Sequence, residues 1–167
     1  TSIDREAVCR AVAARVPELG PTARAWLPPE SGHVVLDHAS KTASAALQFK
    51  GIDQGCPLSP AFYAITVRTA FEQTEAAMRR EDPSARLVAY LDDTYLVGSP
   101  TAVRNGTAAY SDALAAVGLT LRTTKTQVWS PSGADLPADL APYRVTSLQC
   151  VGALASSDQS PPQPSHP

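Results

Sequence analysis

The stretch VAYLDDTYLV, residues 88–97, constrains the fold more than any other part of the sequence. Two apolar runs rich in β-forming residues, RLVAYL and TYLVG, are separated only by Asp92 and Asp93. Short runs of this kind, broken by a polar pair, are typical of two antiparallel strands joined by a tight turn. The sequence therefore predicts a β-hairpin with both aspartates at its tip.

The aspartate pair is an unusual choice for such a turn. Hairpin turns favour Asn-Gly or Asp-Gly, which tolerate positive φ, whereas two adjacent carboxylates supply no glycine and repel each other. One interpretation is that both side chains simply point into water. The other is that a divalent cation lies beside them, because hard carboxylate oxygens suit Mg²⁺, or Mn²⁺ in its place, and two such ions support in-line phosphoryl transfer.

Helical spacing of apolar residues predicts three helices around this hairpin. The first begins after an N-cap at Asp4, and the second spans residues 60–81 with Ser59 as its cap. The third begins after a cap at Thr101 and stops at Gly118. Residues 20–32, which are rich in proline, are predicted to be a connection.

Strand-like segments fill most of the remaining sequence. Residues 33–38 and 46–51 are predicted to pair as a second hairpin, and further strands are expected within 119–129 and 144–154. Hairpins that alternate with helices indicate an α+β fold, in which helices pack on one face of an antiparallel sheet.

The composition fits one globular domain over residues 1–157, followed by a disordered Pro/Ser-rich tail at 158–167. The sequence has no apolar stretch long enough to span a membrane and no signal peptide, so we expect an intracellular protein, nuclear or cytoplasmic, that does not bind membranes. Three cysteines without a Cys-x-x-Cys pair argue against a disulfide framework or a zinc site. The formal net charge of −2 argues against a nucleic-acid-binding surface.

Four sequence blocks together carry a family resemblance. AYLDDTYLVG resembles the Tyr-x-Asp-Asp hairpin of reverse transcriptases, and GIDQGCPLSPAFYAI resembles the Gln-Gly block that precedes it in the family. Downstream, GLTLRTTKTQVW and LQCVGALAS are similar to the next two family blocks, the second being the primer grip. The blocks cover residues 51–157 in the family order, and their residues are most similar to those of polymerases of non-LTR retroelements.

The resemblance implies a polymerase palm with a divalent metal site. Asp92 and Asp93 would be metal ligands and catalytic residues, binding two Mg²⁺ or Mn²⁺ ions in the complete enzyme. Lys125 would protonate the departing pyrophosphate, although an exposed strand lysine explains it equally well. A further metal-binding aspartate of the family, on a strand before Thr1, is absent from this sequence, as are fingers and thumb. We therefore expect a partial domain that is inactive alone, and the missing parts would carry much of the basic surface.

The resemblance also assigns residues to an RNA template, a DNA primer and a dNTP. Tyr90 would contact the primer end, and Gln54 with Gly55 would border the nucleotide and the template. Phe62 and Tyr63 would line the nucleotide pocket, and Gly152 would belong to the primer grip. Packing within the fold is the alternative for the aromatic residues, and an ordinary turn is the alternative for the Gln-Gly pair.

Two other functions stay open at this point. An RNA-templated RNA polymerase uses the same carboxylates but carries glycine where this hairpin has Leu91. An inactive relic of a retroelement, with at most nucleic-acid binding, would also keep these blocks.

Overall fold

The computed structural model describes residues 2–53, 55–90, 93–131, 135–150 and 153–156. The helices are α1 (Arg5–Arg15), α2 (Gly20–Trp26), α3 (Ser59–Glu81) and α4 (Pro100–Ala115). The strands are β1 (Ser31–Asp37), β2 (Thr42–Gln48), β3 (Arg86–Tyr90), β4 (Asp93–Val97), β5 (Val128–Trp129), β6 (Arg144–Val145), β7 (Ser147–Cys150) and β8 (Ala153–Ser156). Three short 3₁₀ turns connect these elements within the described residues, at Pro17–Leu19, Thr123–Lys125 and Ala141–Tyr143.

The first helix begins as the sequence predicts. The Asp4 carboxylate accepts a hydrogen bond from the Ala7 amide at 2.8 Å, which satisfies one of the free N–H groups of the first turn. The prediction of a plain connection at residues 20–32 is wrong, because α2 occupies the first half of it. Pro21 lies in the first turn of α2, where a missing N–H costs nothing.

The long helix α3 confirms the prediction for residues 60–81, but its cap differs. Leu58 is the N-cap and Ser59 is already helical, so the predicted serine cap is wrong. Two buried threonines, Thr66 and Thr74, each donate a hydroxyl hydrogen bond of 2.7 Å to the carbonyl four residues earlier, which explains how polar residues fit the buried face.

The predicted start of the last helix is also displaced. Ser99, in extended conformation, is the N-cap of α4, and its hydroxyl accepts from the Ala102 amide at 3.4 Å. Pro100 therefore takes the first helical position, and Thr101 lies inside the helix. Gly118 ends the helix as predicted, with φ of 80° and its amide bonded to the Ala115 carbonyl at 3.0 Å.

Both predicted hairpins are present, with β1 antiparallel to β2 and β3 antiparallel to β4. The strand predicted within 119–129 is reduced to β5, and a 3₁₀ turn occupies Thr123–Lys125. Local bonds compete with extension there, since the Arg122 carbonyl accepts both the Lys125 amide at 3.0 Å and the Thr126 hydroxyl at 3.1 Å. Strand β5 pairs parallel with β6, and β7 pairs antiparallel with β8.

The α+β class is confirmed, and helices pack on one face of the β3–β4 hairpin. In the described residues the strands form four two-stranded ladders instead of one continuous sheet. The core is mostly helical: one cluster joins α1, α2 and α3, and two further clusters join α3 and α4. The third of these includes Met78, Ala102 and the partly buried Leu96, so it anchors β4 to both long helices.

Candidate active site

The β3–β4 hairpin carries the acidic motif at its closed end. Asp93 is the first residue of β4 and lies directly opposite Tyr90 of β3. Cross-strand partners point to the same face, so Asp93 shares a face with Tyr90, whose residue surface is 57% exposed. Asp93 is itself exposed. Asp92, the other predicted ligand, lies outside the described residues.

The two faces of this hairpin differ in their surroundings. On the inner face, the Thr94 and Tyr110 hydroxyls share a hydrogen bond of 3.0 Å, and Leu96 packs into the α3–α4 core. Burial raises the pKa of the Tyr110 phenol, and the bond from Thr94 acts in the opposite direction. On the outer face, Val88 is as exposed as Tyr90. The hairpin is therefore fixed through one face while its acidic face is open to a substrate.

Gly55 of the Gln-Gly block begins the turn that leads into α3. Gly55 has φ of 86°, a left-handed conformation that favours glycine, and apart from its chain neighbours no atom of the described residues lies within 4 Å of a Cβ built at this position. The glycine is therefore required by the backbone, and the space beside it is free. Gln54 lies outside the described residues, so its predicted position beside Asp92 stays a prediction.

Cys56 follows this turn and is held by two neighbours. Its sulfur accepts a hydrogen bond from Nε1 of Trp26 at 3.0 Å. Hydrogen bonds lower the pKa of the Cys56 thiol, that of the Ser59 side chain having the largest effect. The thiol thus ties the turn to the end of α2, and all three cysteines are free.

A cleft of about 540 Å³ joins the turn to the hairpin. Gly55 and Cys56 after the β1–β2 hairpin, Tyr63 and Phe71 of α3 and Ala89 of β3 all line it. The two best-matched sequence blocks therefore border a shared cleft. The sequence assigned no site role to Phe71 or Ala89. Phe71 could have been predicted, because steps of four residues place 63, 67 and 71 on one side of α3.

The Phe71 side chain also connects the cleft with the hairpin. Its ring stacks on Tyr110, with 6.1 Å between centroids and 29° between planes. Tyr110 in turn contacts Thr94 of β4 through its hydroxyl. The wall of the cleft and the inner face of the hairpin are thus parts of one packed unit.

Other predicted site residues lie elsewhere. Phe62 is 1% exposed and belongs to the α1–α2–α3 core, so its ring does not line the cleft, whereas Tyr63 does. Lys125 is exposed in its 3₁₀ turn, and its side chain forms no hydrogen bond or ion pair within the described part of the chain. It is therefore not a strand lysine. Gly152 lies outside the described residues, between the paired strands β7 and β8.

The metal site can be assessed only in part. Within the ranges described above, no group of three or more His, Cys, Asp or Glu side chains is placed to hold a metal ion. Asp93 has the hard oxygen donors that Mg²⁺ or Mn²⁺ requires, and it makes no ion pair with another described residue. The residues present fit one part of a two-ion site, and a complete site needs further ligands.

The fold and this site define a palm-like α+β domain, with an acidic hairpin beside a cleft and a Gln-Gly turn. A family model described as reverse transcriptase (RNA-dependent DNA polymerase) matches residues 3–156. The chain belongs to this family, which confirms the resemblance seen in the sequence. No curated protein and no solved structure matches it. None of the helices in the described ranges is long and apolar enough to cross a membrane.

Proposed function

We propose that this chain is the palm portion of an RNA-directed DNA polymerase from a retrotransposon of the non-LTR type. The observation that carries the proposal is the hairpin itself: its inner face is fixed on α3 and α4, while Asp93 and Tyr90 share the exposed outer face. A hairpin that is packed rigidly on two helices, with its acidic end exposed, suits a site that must hold charged substrates in a fixed geometry. Such an enzyme acts inside the cell, in the nucleus or the cytoplasm, where its RNA template is found.

The reaction is nucleotidyl transfer from a dNTP to a primer. The primer 3′-oxygen loses its proton and forms a bond to the α-phosphorus, while the bond from that phosphorus to the bridging oxygen breaks and pyrophosphate leaves. When bound, two Mg²⁺ or Mn²⁺ ions stabilise negative charge on the attacking and leaving oxygens. Asp92 and Asp93 would contribute carboxylate ligands to them, and Lys125 would donate a proton to the leaving pyrophosphate.

The nucleic acid and the nucleotide are assigned to the surfaces around the hairpin. Tyr90 has the exposure needed to contact the primer end. Gly55 has free space beside its backbone, which permits close approach of the nucleotide or the template. Gln54 would share this role, and Gly152 would belong to the primer grip. Phe62 supports the site only indirectly, because it is buried in the core.

We propose further that the complete polymerase contains another carboxylate strand, together with fingers and thumb, outside residues 1–167. In the described residues β3 pairs only with β4, so the outer edge of β3 has free backbone groups that an added strand would satisfy. A carboxylate on such a strand would lie near the tip of the hairpin.

Primer extension tests this proposal. The 167-residue chain and a protein extended by the additional strand, fingers and thumb are each given an RNA template, a DNA primer, dNTPs and Mg²⁺ or Mn²⁺. We expect extension only by the longer protein, and its loss when a chelator removes the metal. Incorporation of ribonucleotides in preference to dNTPs would favour an RNA polymerase instead. A longer protein that is folded and inactive with every substrate would refute the proposed function.

A further inference from the structure

The structure contains a buried arginine that the proposed reaction does not use. Arg5, in the first turn of α1, is 4% exposed. No carboxylate lies within ion-pair distance of its guanidinium in the described residues. A buried charge is costly unless it is paired or fully hydrogen-bonded, so its surroundings should explain why it is retained.

Main-chain oxygens provide most of the compensation. Nε of Arg5 donates to the Gly51 carbonyl at 2.9 Å. Nη1 donates to the carbonyls of Pro28 at 2.9 Å and Gln48 at 3.2 Å, and to the Ser31 hydroxyl. One guanidinium therefore joins α1 to the segment after α2, to both strands of the β1–β2 hairpin and to Gly51, three residues beyond β2.

Gly51 is held from two sides by this arrangement. Its carbonyl accepts from Arg5, and its amide donates to the Ile3 carbonyl at 2.8 Å. It has φ of 86°, so its backbone conformation depends on glycine. Four residues later Gly55 reaches the open cleft, and Ile52 lines that cleft as well. The anchored residue and the cleft-lining turn are thus consecutive parts of one short segment.

Helix α1 is also held by apolar packing that does not involve Arg5. Val8 and Val12 of α1 have 0% exposure and pack against Phe62 of α3 in the apolar core. An apolar side chain at position 5 would also be compatible with this buried face. The particular contribution of Arg5 is its fork of N–H donors, which a lysine ammonium does not reproduce.

We propose that Arg5 is a positioning residue for polymerisation: through Gly51 it holds the cleft-lining residues Ile52, Asp53 and Gly55 in place, and thereby sets the affinity for the incoming dNTP. This proposal rests on the proposed function. The side chain does not touch the substrate. It acts by keeping the backbone that borders the nucleotide in the binding conformation before the nucleotide arrives.

The first test uses hydrogen exchange on the 167-residue chain and needs no activity. In Arg5→Met we expect faster amide exchange across residues 48–56 and unchanged exchange in α3. Arg5→Lys should give an intermediate increase. The matched control is Arg10→Met, which removes an exposed arginine of the same helix that pairs only with Glu6, at 3.6 Å. Unchanged exchange at 48–56 in both Arg5 variants would overturn the anchoring role.

The second test measures steady-state kinetics in the extended polymerase. We expect KM for dNTP to rise on the order of tenfold in Arg5→Met while kcat changes by less than about threefold, because the turn supports binding and not the chemical step. A purely structural role would lower the amount of active enzyme, and so kcat, at unchanged KM. If Arg5→Met does not fold, Arg5→Lys decides, with a smaller rise in KM expected.

The two tests separate failure of this proposal from failure of the proposed function. If the unsubstituted extended protein does not polymerise, the proposed function fails and the kinetic part of this inference fails with it. The exchange result still decides whether Arg5 anchors the turn. If polymerisation is normal and KM is insensitive to both Arg5 variants, the positioning role alone is refuted.

Discussion

Gly106 marks the place where α3, α4 and β4 meet, and replacing it by alanine tests how tightly they pack. A Cβ at this position would overlap Cγ of Met78 and would lie 2.9 Å from its sulfur and 3.6 Å from Cδ1 of Leu96. Met78 has 0% exposure, so it cannot move aside into solvent. Overpacking of a core costs about 1–3 kcal/mol. The better helix propensity of alanine offsets about 1 kcal/mol of this, so we expect a net destabilisation of about 1 kcal/mol.

Urea unfolding with a double-mutant cycle separates the two contributions. Met78→Ala alone should cost about 2–5 kcal/mol because it leaves a cavity. In that background Gly106→Ala should stabilise the protein, since the added methyl group then enters free space. Ala108→Gly, at an exposed position of the same helix, measures the propensity term alone. Equal stabilisation by Gly106→Ala in both backgrounds would show that the helices do not touch at this point.

Two further predictions concern hydrogen bonds around the hairpin. Hydrogen bonds hold the pKa of Asp82 below its usual range, above all the bond from the Ser84 side chain and then that from the Ser99 amide. The Asp82 carboxylate therefore stabilises the fold above the unfolded-state pKa of about 4, and this stabilisation is lost as pH falls further. The urea midpoint should therefore fall less between pH 7 and pH 3 in Asp82→Asn than in the unsubstituted protein, and equal falls would contradict this. Thr94→Val should leave the Tyr110 hydroxyl without its partner, raise the pKa of that phenol further and cost about 1–3 kcal/mol in urea unfolding; an unchanged midpoint would mean that water replaces the bond.

Local patterns predicted most of the secondary structure, and the failures have local causes as well. The β3–β4 hairpin and α3 were predictable because each shows its own periodicity. The two wrong predictions at helix starts involve proline. Pro21 lies in the first turn of α2, within the segment predicted as a connection, and Pro100 is the first residue of α4, one position before the predicted cap Thr101. Proline in a first turn is as much a start signal as a break.

The site was less predictable because it depends on packing between distant segments. The motif blocks identified the hairpin and the Gln-Gly turn, but the cleft that they share is also lined by α3, through Tyr63, Val67 and Phe71. Arg5 was missed, although the spacing of residues 5, 8, 9 and 12 places it on the buried face of α1. A charged residue in line with an apolar stripe was therefore the signal, and what it binds follows only from the fold.

The aspartate pair at the hairpin tip is the centre of the proposed function. In the extended polymerase, Asp92→Asn should preserve the fold because the side chains are nearly the same size. It removes one unit of negative charge from the proposed metal site and should cost several kcal/mol of transition-state stabilisation, on the order of a thousandfold in rate. Asp93→Asn should also impair extension, since the structure places Asp93 on the open face with Tyr90. Asp112→Asn, an exposed carboxylate on α4, removes the same charge away from the hairpin and should leave the rate unchanged. Extension from an RNA template would be measured beside thermal melting for each protein. Near-normal extension by a folded Asp92→Asn variant would mean that this pair does not hold the metal, and the solvated-turn interpretation of the hairpin tip would then be the better one.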